Sequence, residues 1–163
     1  VASRSVIAIL AAALAASPAS AACKMELAVY GDRDGAAEVD FTPTAGSATV
    51  TNSFRMILGK DAVLDGFVMW TSDVERPFGQ LGYRCPDGDT TGEQIAACTV
   101  WQGIVYAVDG KGGIGLLPQE GGDAPPALLF PDLGPSVKAA PALAGARPAT
   151  IPWDVFTLKG CQE

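Results

Sequence analysis

The sequence predicts a mainly β fold, a small sandwich or barrel of short antiparallel strands with one or two short helices. Three observations predict it. Short apolar runs that alternate with polar residues recur along the chain, bounded by Gly, Pro, Asn or Asp at the spacing of a strand meander. The stretch "DGKGG", residues 109–113, has the turn chemistry of a hairpin between two such runs. Four cysteines, Cys23, Cys85, Cys98 and Cys161, form the even set that staples a small exported domain.

Export is read from the first residues, "VASRSVIAILAAALAASPASAAC". A single basic residue, Arg4, precedes an apolar run at 6–16, and Ala19-Ser20-Ala21 supplies an A-x-A cleavage pattern. The run falls short of the roughly 20 apolar residues that a membrane-spanning helix needs. Residues 1–21 are therefore expected to be a removed signal peptide, and residues 22–163 a single domain that is periplasmic or secreted, with no membrane span after cleavage. A rival route reads Ser20-Ala21-Ala22-Cys23 as a degraded lipobox that lipidates Cys23. It lacks the large aliphatic residue three places before the cysteine, and it would strand an odd thiol.

The domain left after cleavage is long enough for one sizeable core. The whole chain carries 11 basic and 18 acidic residues, a net charge of −7, and loss of Arg4 makes the balance more acidic still. Such a charge repels phosphate backbones and anionic lipid, so nucleic acid is excluded as a partner. Three disulfide connectivities exist. The expected one joins Cys85 to Cys98 across a local loop and Cys23 to Cys161 at the two ends of the mature chain.

The elements follow in order. "KMELAVY" (24–30) alternates, placing Met25, Leu27 and Val29 on one face of a first strand that "GDRDG" (31–35) stops. "AAEVDF" (36–41), "SATVT" (47–51) and "FRMIL" (54–58) are shorter candidates, followed by "DGFVMWTSD" (65–73) and "GQLGYR" (79–84). The run "TVWQGIVYAVDG" (99–110) is apolar on both faces, which predicts a central strand covered from both sides. A hairpin leads from it into "IGLLP" (114–118). Residues 118–152, rich in Pro, Gly and Ala, are expected to form an irregular segment with a helical turn near "SVKAAPAL" (136–143). The closing "WDVFTLKGC" (153–161) returns to the core as a strand.

The chain contains no histidine, which excludes Ser-His-Asp and Cys-His catalysis and every histidine metal site. Paired cysteines leave no thiolate nucleophile. "DGKGGIG" lacks the Lys-Ser/Thr ending of a phosphate-binding loop. Carboxylates remain. In "CPDGDTTGEQIAAC" (85–98), Asp87, Asp89, Thr91 and Gly92 fall at positions one, three, five and six of an EF-hand-like loop, but Cys98 stands where a bidentate Glu is required. A looser calcium site from Asp87, Asp89 and Glu93 is the metal candidate. The alternative is a turn at Pro86-Asp87-Gly88 and a short helix through "GEQIAAC", capped by Thr90 or Thr91 with Glu93 near its N-terminus.

In "WTSDVERP" (70–77), continuation of the strand would put Asp73 and Glu75 on one face, as an acid and base pair for glycan hydrolysis requires. The plainer reading is a core Trp70 followed by a solvated strand end. "GDRDG" with Glu38 and Asp40 is either a second cation site or a polar hairpin. Trp101 and Trp153 lie in strand-like settings that suit core residues, and Trp153, at the end of the Pro-rich segment, is also the ligand-binding candidate. "PPALLFP" (125–131) is either an apolar docking patch or a buried edge piece. The function expected from these residues is a non-catalytic exported domain, without an assigned cofactor, that binds a protein partner or a small-molecule ligand. The alternatives are the carboxylate-dependent glycan hydrolase and the calcium-dependent binding module.

Overall fold

The computed structural model describes residues 22–163 apart from Asp61 and Val74, so the expected signal peptide at 1–21 lies outside the described residues. A 3-10 turn, Met25–Leu27, leads into β1 (Ala28–Asp32), β2 (Ala37–Thr42), β3 (Val50–Leu58), β4 (Ala62–Thr71) and β5 (Arg76–Gly82). Helix α1 (Gly92–Cys98) precedes β6 (Thr99–Ile104), β7 (Tyr106–Val108), β8 (Ile114–Leu116) and β9 (Ala127–Leu129). Helix α2 (Leu133–Ala139) and a second 3-10 turn, Pro141–Leu143, come before β10 (Val155–Cys161). The ten strands form one antiparallel sheet in the order β6-β5-β4-β3-β2-β1-β10-β9-β7-β8, curled into a half-barrel.

The first six places in that order are a meander of hairpins run backwards, as the recurring turn residues predict. The last strand returns beside the first, so that Ala28 lies opposite Cys161. Both expected disulfides are present, Cys23–Cys161 and Cys85–Cys98.

Four expectations are corrected. The first strand starts at Ala28, because the backbone at 24–27 turns back on itself through a Leu27 N–H to Lys24 carbonyl bond. Met25 then drops into the core and does not share a strand face with Leu27. The run 99–110 is two strands. Val105 divides them, fully buried, with its N–H donated to the Pro77 carbonyl of β5. β6 pairs with β5 at one end of the sheet, and β7 pairs with β9 and β8 at the other, so this single residue joins the first strand in the sheet order to the ninth. Its sequence is apolar on both faces partly because an irregularity opposite Leu81 and Gly82 buries the neighbours Val100 and Trp101 together. Trp70 is 45% exposed at the end of β4 and is not a core residue. Finally, strand β4 stops at Thr71, so Asp73 and Glu75 sit in the turn to β5 and share no strand face.

Aromatic rings connect the core. Tyr30, Phe41, Phe54, Phe130 and Phe156 are fully buried, with ring centroids 5.2 to 5.9 Å apart along the path, and Trp101 meets Phe130 edge-on at 5.3 Å. Phe130 is the hub, which explains the order in the Pro-rich segment: β9 delivers Leu128 and Phe130 inward, and α2 with the following 3-10 turn covers the core beside β6. "PPALLFP" is thus a buried strand piece. Among the described residues no helix is long and apolar enough to cross a membrane.

Candidate functional site

At one end of the half-barrel, the β1–β2 turn, the β3–β4 turn, the segment after β5, α1 and residues 142–150 enclose a groove of about 1130 Å³. Local chemistry fixes each wall. Gly59, at a φ of 60° that glycine adopts without strain, turns the chain out of β3 and sets Lys60 on the groove. α1 has only seven residues, too few to persist alone. It is held by a reciprocal cap, in which the Thr91 hydroxyl accepts the Gln94 N–H and the Gln94 side chain accepts the Thr91 N–H, and by the Cys85–Cys98 bridge. Of the two threonines expected to cap this helix, Thr91 does so.

Arg84 occupies the left-handed region at φ 52°, a conformation that costs a residue with a Cβ on the order of 1 kcal/mol. Its guanidinium lies 5.0 Å from the centre of the Tyr83 ring. The Tyr83 N–H donates to the Cys98 carbonyl at 2.9 Å, so the Tyr83-Arg84 pair is tied to the disulfide and to α1 together. Arg147, on the opposite loop, donates to the Ala140 carbonyl at the end of α2, 3.3 Å away.

The charges of this groove invert those of the chain. Among the described residues, Lys60, Arg84 and Arg147 line it together with one carboxylate, Asp34, in a protein of net charge −7. Asp34 is already engaged. It accepts the Trp153 indole N–H at 2.6 Å and lies 3.6 Å from the Arg33 Nε, while the Arg33 guanidinium stacks 3.4 Å above the centre of the Trp153 ring. Among the described residues no carboxylate lies within ion-pair distance of Lys60, Arg84 or Arg147. Among the described residues the groove therefore presents three cations against one carboxylate that is already paired, with Tyr83, Ala142, Ala146 and Pro148 as apolar wall.

The candidates read from the sequence take other places. Trp153 is 46% exposed and forms a latch beside the groove: its ring is held by Arg33 and Asp34, and its backbone N–H donates to the buried Asp32 at 3.3 Å. Asp32 also accepts the N–H groups of Ala36 and Ala37 at 2.7 and 3.1 Å, so "GDRDG" is a hydrogen-bonded hairpin turn whose carboxylates hold the Trp153 loop. Asp40 lies in β2 opposite Arg55 of β3, with one buried carboxylate oxygen that has no hydrogen-bond partner among the described residues.

Asp87, Asp89 and Glu93 are exposed on the loop into α1 and on its first turn, and Pro86 beside them is a groove wall. Among the described residues no three Asp, Glu or Cys side chains gather around a point where a metal ion would sit. Asp73 and Glu75 are exposed in the β4–β5 turn.

Lys60, Arg84 and Arg147, the residues of the groove, were not singled out by sequence reasoning. They are separated by 24 and 63 positions in the chain, and only the fold brings them together. The one available signal was an arginine directly before a bridged cysteine. No protein-family model matches the chain, and no characterised protein or solved structure is similar to it.

Proposed function

We propose that this chain is an exported, non-catalytic binding domain whose groove takes a small anionic ligand. The observation that carries the reading is the convergence of Lys60, Arg84 and Arg147 on one groove of an otherwise acidic protein. Surface charge far from zero repels anions at long range, so a local cationic concavity is where an anion finds a favourable field. Two arginines offer forked donors that match a carboxylate or phosphate, and Lys60 supplies a point charge. The Tyr83 ring and the alanines opposite it suit an apolar or planar body attached to that anionic group. Left-handed Arg84 supports the same reading, since backbone strain concentrates where a side chain must be aimed. Export rests on the leader pattern at 1–21 and on two disulfides, which persist in an oxidising compartment.

The test is thermal unfolding of the oxidised protein in citrate, against sodium chloride of matched ionic strength. A ligand present at about ten times its dissociation constant adds roughly 1.4 kcal/mol, or about 4 °C for a domain of this size. The expected result is a citrate-specific rise in Tm that disappears in the double variant Arg84→Gln, Arg147→Gln. An equal rise in chloride, or a rise unchanged in the variant, removes the groove as the site.

A further inference from the structure

The two disulfides stand in different mechanical settings, and the difference falls on the groove. Around Cys23–Cys161 the backbone is tied independently of the bridge: Ala124 donates to the Cys23 carbonyl, Gln162 donates to the Leu27 carbonyl, and β1 pairs with β10. Cutting that bridge leaves its two thiols facing each other. Cys85–Cys98 holds a segment that has little else. A short helix normally persists by burying an apolar face. α1 has none to bury, because Gly92 to Ala97 are all exposed and Cys98 is its one buried residue. The Thr91–Gln94 cap and the bridge are therefore its main supports.

The same bridge aims an arginine of the groove. Arg84 directly precedes Cys85, and Tyr83 before it donates to the Cys98 carbonyl. Gly82 closes β5 without a side chain, and a Cβ there would collide with the Cys85 Sγ, so the strand end is cut to seat the sulfur. A left-handed backbone at a residue with a Cβ lasts only where its surroundings over-determine it. At Arg84 those surroundings are the Tyr83 bond to Cys98 on one side and bridged Cys85 on the other. Gln94, Ala97 and Cys98 of α1 line the groove directly.

We propose that Cys85–Cys98 is a redox gate on the groove: opened by an external dithiol, it frees α1 and Arg84, and the groove loses its hold on an anion. The gate rests on the reading of the groove as an anion site. Cys85 is exposed and Cys98 buried, so the reductant approaches from the Cys85 side. One thiolate of the dithiol attacks the Cys85 sulfur, the S–S bond breaks, and Cys98 leaves as a thiolate that takes up a proton. The second thiol of the reagent then closes on its own sulfur in the mixed disulfide and releases Cys85, which takes up a proton in turn. The chain gains two electrons and two protons, and the dithiol ends as a disulfide. Reoxidation closes the gate.

The experiment equilibrates the oxidised chain in graded mixtures of reduced and oxidised dithiothreitol. Alkylation with peptide mass mapping reads which bridge is open, hydrogen exchange reads α1, and citrate titration at constant ionic strength reads the groove. Cys85–Cys98 is expected to open while Cys23–Cys161 stays closed. Amides of residues 92–98 then lose protection while β3 and β4 keep theirs. The citrate dissociation constant rises roughly ten-fold or more, as loss of a forked, charge-assisted contact implies, and returns on reoxidation. Cys85→Ser with Cys98→Ser is expected to reproduce the open state without reductant. Protection at 92–98 that survives opening of the bridge overturns the gate, as does opening of both bridges together with loss of protection across the sheet. If the oxidised chain binds citrate and the opened chain binds it equally well, the gate fails and the anion site stands. An oxidised chain that does not bind citrate removes the anion site, and the gate with it.

Discussion

Removing the two disulfides one at a time separates a long-range staple from a local one. Cys23–Cys161 closes a loop with a sequence separation of 138, and Cys85–Cys98 one of 13. If each bridge acts by limiting the unfolded chain, the loss on replacing both cysteines by alanine is about 5 kcal/mol for the first and about 3 kcal/mol for the second. The native contacts near the first bridge remain without it. Ala124 still donates to the Cys23 carbonyl at 2.8 Å, Met25 to the Gly122 carbonyl at 2.9 Å, and β1 still pairs with β10. Domains of this kind have stabilities of only about 5 to 15 kcal/mol, so the end-to-end bridge accounts for a third of the total or more. Urea unfolding followed by tryptophan fluorescence measures both variants, since Trp101 is buried in the core. The expected order is wild type, then Cys85→Ala with Cys98→Ala, then Cys23→Ala with Cys161→Ala, with a steeper urea dependence in the last as its unfolded state expands. A local-bridge variant that loses as much stability as the end-to-end variant, or more, refutes the entropic account.

Three further outcomes follow from the geometry. Gly66→Ala drives a Cβ into the ring of Phe54, which is confined between Phe41 and Phe130, and overpacking of this kind is expected to cost about 1 to 3 kcal/mol in the same urea assay. Asp34→Ala removes the acceptor for the Trp153 indole, so acrylamide quenching of fluorescence should increase while global stability falls by no more than about 1 kcal/mol, as suits an exposed contact. Stability is also expected to fall in acid. Backbone N–H groups of Gly113 and Lys111 hold the Asp109 carboxyl below its ordinary range, and that of Gly121 does the same for Glu26. With the folded pKa depressed, their contributions are complete above the unfolded value near 4 and are lost as pH drops through the folded one. A scan of Tm between about pH 2.5 and 6 should decline on the acid side, and more gently in Asp109→Ala and Glu26→Ala.

The sequence was most legible where one local rule governs. Turn residues fix where strands stop, so most of the meander is readable, and Thr91 with Gln94 three residues on is a capping pattern written in four letters. Even cysteine count and spacing led to the pairing that the structure contains. Legibility failed where tertiary contacts override local pattern. Met25 alternates correctly for a strand, yet the Gly122 carbonyl and the 3-10 turn take its backbone elsewhere. Residues 99–110 look like one strand because burial of Val105 is indistinguishable, in sequence, from burial along a central strand. Trp70 has core chemistry but stands where the sheet ends. The groove was illegible for a different reason: Lys60, Arg84 and Arg147 come from a hairpin turn, a strand end and a Pro-rich loop, and no spacing links them. Carboxylates drew notice because they cluster in sequence at 31–35 and 87–93, whereas the cations cluster only in space.

The groove's role as an anion site is tested most directly by mapping amide chemical shifts of the oxidised protein during titration with citrate at constant ionic strength. Saturable shifts concentrated at residues 59–60, 83–86 and 145–150, and absent from the Arg84→Gln, Arg147→Gln variant, are the predicted result. Shifts that never saturate, or that scatter over Lys24, Lys111 and Lys138 as much as over the groove, would contradict it.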